Sequence, residues 1–98
     1  MKFEEFSNVL SKGIAYADTF EVILGEDEKL SARTTNFSLN MNNGERYVFT
    51  KIGDRYRGEM YLYCSYIDNC ELDKPFYDLF LAAVIECVNS EAAKIVYH

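Results

Sequence analysis

The chain has 98 residues and a formal net charge of −6 at pH 7, from 16 acidic and 10 basic side chains. Its length is that of a single domain, residues 1–98, and its apolar fraction of 49% is ordinary for a globular protein. The acidic excess disfavours direct binding to DNA or RNA phosphates, and no apolar run approaches the ~18 residues of a membrane span.

The first element is predicted to be an amphipathic helix over residues 2–16. Gly13 weakens its last turn because glycine has a low helix propensity. The apolar side chains recur every three or four positions, which is the spacing of one helical face. They are Phe3, Phe6, Leu10, Ile14 and Ala17.

Two strands joined by an acidic segment are predicted next. Residues 19–24, TFEVIL, are rich in β-branched and aromatic side chains, which favour strands. The following sequence GEDEK indicates a solvated turn with three consecutive acids. Residues 35–41, TNFSLNM, alternate apolar and polar side chains, as in a strand that is buried on one face.

The length of the next turn decides which residues face each other in the hairpin formed with RYVFTKI. A two-residue loop would pair Leu39 with Val48. A three-residue loop, with Gly44 in a left-handed bulge, would pair Leu39 with Tyr47. We predict the second register because it gathers the aromatic residues on one face, and a buried face fixes the register of a strand.

A further strand is predicted from the segment EMYLYCSY, residues 59–66. A two-residue turn at residues 53–54 would place Met60 opposite Tyr47. Alternation then adds four side chains to the apolar face: Met60, Leu62, Cys64 and Tyr66. The opposite face of the sheet would carry Arg46, Val48, Thr50, Arg57, Glu59, Tyr61, Tyr63 and Ser65.

The last third of the chain is predicted to be a polar connection, IDNCELDK, followed by a helix. Asp73 is a suitable N-cap, and Pro75 suits the first turn because its missing N–H costs nothing there. Residues 76–88 are apolar around nearly the whole circumference, so this helix is expected to be buried on more than one side. Residues 90–98 are expected to continue it, with a break considered at Asn89–Ser90.

These elements predict an α+β fold of two layers, with an N-terminal helix, a four-stranded antiparallel meander and a C-terminal helix. Both helices are expected on the apolar face of the sheet. The two turns independently gather apolar residues on that face, which supports the predicted register. The other face is left to solvent or to a partner.

Side chains that carry catalysis or bind metals are sparse. The single histidine is His98, at the last position, where a side chain is usually too mobile to act as a fixed general base. Cys64 and Cys70 lack the second close pair of a zinc site, and the acidic turns lack the ligand pattern of a calcium loop. We therefore predict a non-enzymatic protein without a metal or cofactor.

The cellular compartment is predicted from the N-terminus and the cysteines. Residues 1–13 contain two acids and no apolar run of the secretory kind, so no signal peptide is expected. The three cysteines, an odd number without paired spacing, favour free thiols in a reducing compartment. Both features predict a cytoplasmic protein.

Two groups of residues are candidates for contact with a partner protein. Tyrosine and arginine are enriched at binding hot spots, and acids attract a basic surface. The first group lies on the polar face of the sheet and comprises Arg57, Glu59, Tyr61 and Tyr63. The second group forms acidic turns and comprises Glu26, Asp27, Glu28, Asp68, Glu71 and Asp73. The alternative is that the tyrosines lie on an exposed face of the sheet and contact no partner.

Three functions remain open at this level. The preferred one is a small acidic protein–protein interaction domain, for instance a phage-type inhibitor that docks on the basic, nucleic-acid-binding surface of another protein. The second is a small-molecule-binding or enzymatic domain with a pocket between the sheet and the helices. The third is a structural homodimer, for which the apolar helix of residues 76–88 is the best feature.

Overall fold

The computed structural model describes residues 2–16 and 19–98, so Ala17 of the predicted apolar stripe lies outside the described residues. Eight elements follow one another in this part of the chain. They are α1 (Phe3–Tyr16), β1 (Phe20–Leu24), β2 (Asn36–Met41), β3 (Glu45–Ile52), β4 (Arg55–Leu62), β5 (Ser65–Leu72), α2 (Lys74–Asn89) and β6 (Ala93–Tyr97).

The strands form one six-stranded mixed sheet in the order β5-β4-β3-β2-β1-β6. Neighbours from β1 to β5 are antiparallel, whereas β6 is parallel to β1. Helix α2 carries the chain from one edge of the sheet to the other, as a parallel connection requires. The fold is α+β with an N-terminal helix, as predicted, but the four-stranded meander is too small by one strand at each edge.

The predicted register of the central strands is confirmed. Leu39 pairs with Tyr47 across β2 and β3, and Tyr47 pairs with Met60 across β3 and β4. Gly44 closes the first hairpin with a φ of 91°, a left-handed conformation that glycine adopts without strain. The helix-facing side of the sheet therefore holds the aromatic residues that the two turns were expected to gather there.

The segment EMYLYCSY is a hairpin, and its interpretation as one strand is wrong. β4 ends at Leu62 and β5 begins at Ser65, so the segment IDNCELDK belongs mostly to a strand and not to a polar connection. Tyr63 and Cys64 form the tight turn, with φ angles of 48° and 70°. Two-residue hairpins of this kind usually use Asn-Gly, so a Tyr-Cys pair gives no turn signal.

The Tyr63 turn is held against the neighbouring hairpin. The Tyr63 N–H donates to the carbonyl of Gly44 over 3.1 Å. Its ring lies where a side chain at Gly44 would be, since a Cβ atom there would come within 2.5 Å of the ring. Cys64 and Tyr66 consequently do not extend the apolar face of β4, because the chain has already reversed direction.

The helical continuation predicted for residues 90–98 is also wrong. α2 ends at Asn89, where the break was considered, and the N–H of Ser90 caps it by donating to the Glu86 carbonyl over 2.9 Å. Residues Ala93–Tyr97 then form β6 along the free side of β1. Ile95 and Val96 are β-branched, which favours a strand once a pairing edge is present.

At the other end of α2, the predicted cap is confirmed. The Asp73 carboxylate accepts a hydrogen bond of 2.8 Å from the N–H of Phe76, and Pro75 lies in the first turn. This contact satisfies one of the donors that every helix start leaves unpaired. Asp73 therefore has a structural role at the start of α2 in addition to its place among the candidate partner contacts.

Aromatic rings fill the layer between the helices and the sheet. Phe6 of α1 packs edge-on against Tyr47 and Phe49, with centroid distances of 6.0 and 6.1 Å. Phe49 also packs against Phe80 of α2 at 4.9 Å. Gly58 lies opposite Phe49 and leaves room for the Phe6 ring. Both helices thus cover the same face of the sheet.

Helix α2 buries one stripe, which is less than its apolar composition predicts. Tyr77, Leu81 and Val84 are buried against the sheet, while Leu79 is 74% exposed. Burial on more than one side is therefore not observed within a single copy. The homodimer predicted from the apolar helix of residues 76–88 stays a prediction.

Candidate functional site

The open face is the side of the sheet opposite the two helices. Strand pairing arranges its side chains in rows that cross the strands, and three of these rows span four strands or more. The first row is Tyr66, Tyr61, Arg46, Asn40, Glu21 and Lys94. The middle row is Asn69, Glu59, Val48, Ser38, Ile23 and Val96. The third row is Glu71, Arg57, Thr50 and Asn36.

The middle row contains three apolar side chains, Val48, Ile23 and Val96, with the small Ser38 between the first two, and these four residues are called the apolar strip. Ile23 is 9% exposed and Ser38 is 7% exposed, although both side chains point away from the helices. The open face therefore has an apolar centre within a polar frame, which is the general anatomy of a protein–protein interface.

Tyr61 is fixed in place on the polar side of this strip. Its hydroxyl donates a hydrogen bond of 3.1 Å to Glu59, and its ring packs edge-on against Tyr66 at 5.7 Å between centroids. The hydrogen bond to Glu59 raises the pKa of Tyr61, because ionisation would place two negative charges together. Tyr66 in turn accepts a hydrogen bond from the side chain of Asn69. A held aromatic ring loses little entropy when it binds.

Charges of both signs alternate on the open face. Arg57 pairs across the strands with Glu71, and the Arg55 guanidinium lies 3.4 Å from the same carboxylate. The acids of this face are Glu21, Glu59 and Glu71, and its basic residues are Arg46, Arg55, Arg57 and Lys94. Because this face is nearly balanced, the acidic excess of the chain lies on the helices, turns and sheet ends.

Four of the predicted partner-binding residues are brought together. Arg57, Glu59 and Tyr61 follow one another along β4, and Glu71 lies beside Arg57 on β5. All four belong to the open face. The register of β3 and β4, which was predicted correctly, accounts for Arg57, Glu59 and Tyr61, whereas Glu71 was predicted in an acidic turn and reaches this face because residues 65–72 form β5.

Three other predicted residues lie elsewhere. Tyr63 is in the turn between β4 and β5, beyond the rows of the open face. Asp68 pairs with Met60, on the helix-facing side, and the N–H of Asn69 lowers the pKa of its carboxyl group by donating to it over 2.8 Å. Asp73 caps α2. Tyr63, which was predicted on the face of Tyr61, therefore lies outside it, and Asp68 and Asp73, which were predicted in an acidic turn, lie in β5 and at the start of α2.

The acidic turn of residues 26–28 adjoins the open face at the end of β1. The N–H of Glu28 donates to the carbonyl of Gly25 over 3.0 Å, which folds the turn back. Glu28 and Arg46 then line one groove of about 310 Å³, whose walls include Ile23 and Val48. The groove joins the acidic turn to the apolar strip, a connection that the sequence alone did not indicate.

The sequence-based site omitted the half of the open face formed by β1 and β6. Ile23 and Val96 were missed because residues 93–97 were assigned to a helix, so β1 had no second neighbour. The β-branched pair Ile95-Val96 was the feature of the sequence that could have indicated a strand there. Ser38 was recognised only as a polar position of its strand.

A second groove of about 360 Å³ lies at the corner of the open face, lined by Arg55, Arg57, Asn69 and Glu71 among others. Within residues 2–16 and 19–98, no three His, Cys, Asp or Glu side chains are grouped to hold a metal ion. The three cysteines are free thiols. In the same described ranges, neither helix is long and apolar enough to cross a membrane.

Comparison with known proteins adds no relative: no protein-family model, no curated protein and no solved structure matches the chain.

Proposed function

We propose that this chain is a non-enzymatic, cytoplasmic interaction domain that docks on another protein through the open face of its sheet. The observation that carries the proposal is the apolar strip, Val48, Ser38, Ile23 and Val96, set in a frame of arginine, tyrosine, asparagine and glutamate. Surfaces with an apolar centre and a polar rim suit a folded protein partner better than a polyanion.

The residues of the frame support a specific contact. Tyr61 is held by Glu59 and by Tyr66, so its ring presents a fixed surface next to the strip. Arg46 and Arg57 stand on either side of the middle row, where their guanidinium groups can form bidentate hydrogen bonds. Tyrosine and arginine are the residue types that most often carry the binding energy of an interface.

A partner with a basic rim is the best match in charge. The net charge of −6 attracts a basic protein over long range, and the acidic turn of residues 26–28 stands beside the groove of the open face. Many basic protein surfaces bind nucleic acid. A domain that covers such a surface would act as an inhibitor by excluding the nucleic acid, which is the form of this function that we favour.

The partner can be found by affinity purification of the tagged protein from its native cells, followed by mass spectrometry. Binding of the purified partner is then measured for Val48→Asp and Tyr61→Ala, with Leu79→Ala on α2 as the control. We expect both open-face variants to speed dissociation and to weaken binding by about tenfold or more, as at interface hot spots. Equal affinities for all three variants would contradict docking through the open face.

The charge of the partner is tested separately. Reversal of Glu26, Asp27 and Glu28 to lysine should slow association at low salt, and the effect should fade as salt screens it. The matched control reverses Glu4, Glu5 and Glu86 on the helices, which changes the net charge equally. If both triple variants associated more slowly by the same factor, the net charge alone would account for the effect through long-range attraction. No loss in either, or an acidic partner, would exclude the basic rim.

An inhibitor of this kind must also compete with nucleic acid for the partner. Nucleic acid bound by the partner should be displaced as the domain is added, with a midpoint set by the affinity of the domain. Simultaneous binding of domain and nucleic acid would remove the inhibitor function while leaving the interaction domain intact.

A second candidate is binding of a small anionic molecule in the corner groove. Arg55 and Arg57 both line this groove of about 360 Å³, beside Glu71, and the groove has a size that suits a small ligand. Calorimetric titration with inorganic phosphate and with a dicarboxylate tests it, with Arg57→Gln as the variant. A heat of binding that Arg57→Gln leaves unchanged would show that the ligand binds outside this groove.

A further inference from the structure

The two edges of the sheet differ in how well they are protected against pairing with another strand. β5 carries a register shift opposite Met60 and Tyr61 and two acidic residues, Asp68 and Glu71. Irregular pairing and charge are common devices that keep edge strands from associating. β6 has the sequence AKIVY, pairs regularly along β1 and contains one charged residue, Lys94.

The backbone of β6 presents a regular row of groups on its outer side. The N–H of His98 donates to the carbonyl of Leu24 over 3.0 Å, so the amide of His98 points towards β1. Successive residues of a strand direct their N–H and C=O groups to opposite sides. The outward groups of β6 therefore belong to Ala93, Ile95 and Tyr97.

We propose that two copies of this chain pair antiparallel through β6, with the two-fold axis at Ile95. Ile95 then exchanges both backbone hydrogen bonds with its symmetry mate, and Ala93 exchanges both with Tyr97 of the second copy. Roughly six backbone hydrogen bonds close the seam, because every outward group of the strand meets a complementary one. A two-fold contact of this kind is closed and produces a dimer.

The side chains fit the same register. On the open face Lys94 lies across from Val96 of the second copy, so no like charges meet. On the helix side Tyr97, which is 51% exposed, lies across from the small Ala93. A second copy is therefore a better occupant than an acidic or basic peptide, because one register satisfies both the outward backbone groups and the side chains.

Pairing also extends the surface described above. The apolar strip ends at Val96, next to the β6 edge, where Val96 faces Lys94 of the second copy, so the two strips lie on one continuous face but are offset on either side of the axis. The seam itself is only one strand wide. Such a small contact gives a reversible dimer with a dissociation constant on the order of micromolar.

The first test is sedimentation equilibrium of the wild-type chain from low to high micromolar concentration, compared with Tyr97→Pro and with Tyr97→Ala as the control. Proline at position 97 removes the outward-pointing backbone N–H without removing a hydrogen bond to β1. Alanine at the same position keeps this N–H. We expect a concentration-dependent dimer that Tyr97→Pro weakens by about tenfold or more and Tyr97→Ala weakens less, because two hydrogen bonds per dimer are lost. A monomer throughout, or a dimer indifferent to Tyr97→Pro, overturns the proposal.

The second test fixes the register. Val96→Lys places a lysine across from Lys94 of the second copy and should weaken the dimer about two- to tenfold relative to Val96→Gln. Adding Lys94→Glu to Val96→Lys restores opposite charges and should recover the affinity. Failure of the double variant to recover, with circular dichroism unchanged, would exclude the pairing centred on Ile95.

Discussion

The two faces of the sheet use neighbouring residues of the same strands for opposite purposes. Along β3, Tyr47 and Phe49 are fully buried under the helices, while Val48 and Thr50 between them are only half-buried on the open face. The helix-covered face is filled with aromatic rings. The open face alternates charge, hydroxyl and short apolar side chains. Buried residues that hold the fold and partly exposed residues of the open face thus alternate along the strand.

The two faces also differ in how their aromatic rings are held. On the helix-covered face rings pack against rings, as Phe37 does on Phe49 at 4.9 Å between centroids. On the open face Tyr61 is held by a carboxylate and by one other ring. A ring with a polar support and a free side is suited to binding, whereas a ring enclosed by others is suited to holding the fold.

The largest expected effect is loss of the fold in Phe49→Asp. An unpaired carboxylate would be buried among Phe6, Phe37 and Phe80, at a cost that approaches the whole stability of a small domain. Val48→Asp, one residue away on the open face, is the matched control and should stay folded. Thermal unfolding followed by circular dichroism compares them. Cooperative unfolding of Phe49→Asp near the wild-type temperature would contradict the register.

A smaller effect is expected from overpacking at Gly58→Ala. A Cβ atom at this position would lie 2.5 Å from Cζ of Phe6, so the ring must shift. The free energy of unfolding measured in urea should fall by about 1–3 kcal/mol. Phe6→Leu in the same chain should relieve part of it, so the double variant should lose less than the two single losses added. Strict additivity would show that Gly58 and Phe6 do not touch.

How far the sequence specified this arrangement depends on the turns. Gly44 and the alternation of β2 fixed the register of the first hairpin, and with it Arg57, Glu59 and Tyr61 on the open face. The Tyr63-Cys64 turn carries none of the residues that usually favour such turns, and it depends on tertiary contact with Gly44. β6 depends equally on tertiary structure, since its pairing partner β1 lies some seventy residues earlier. The apolar strip could not be predicted in full without β6, which contributes Val96.

The third prediction concerns pH and the helix-covered side. The Tyr77 hydroxyl donates to the Thr34 carbonyl over 2.6 Å, and burial raises the pKa of Tyr77 from 10.0 to about 12. The unfolded chain therefore loses this proton first. Stability from Tyr77 is fully present below pH 10 and is lost as the pH rises towards 12.

Tyr77→Phe tests this account by urea unfolding at pH 7 and at several values above pH 9. At pH 7 the variant should lose about 1 kcal/mol, because the hydrogen bond to Thr34 is missing. Its stability should also decline less steeply at alkaline pH than that of the wild type. Parallel declines in the two proteins would assign the alkaline loss to other groups, of which Tyr47, with a pKa raised by burial, is the first candidate.

The smallest effect is expected from Arg55→Ala on the open face. Its guanidinium lies 3.4 Å from Glu71, but both side chains are mostly in solvent, where water and salt weaken the attraction. The free energy of unfolding should change by less than about 0.5 kcal/mol, and that change should vanish in molar salt. The useful comparison is with Gly58→Ala on the same strand but on the other face. If Arg55→Ala were as costly as Gly58→Ala, the open face would be part of what holds the fold together, and its assignment to recognition would have to be given up.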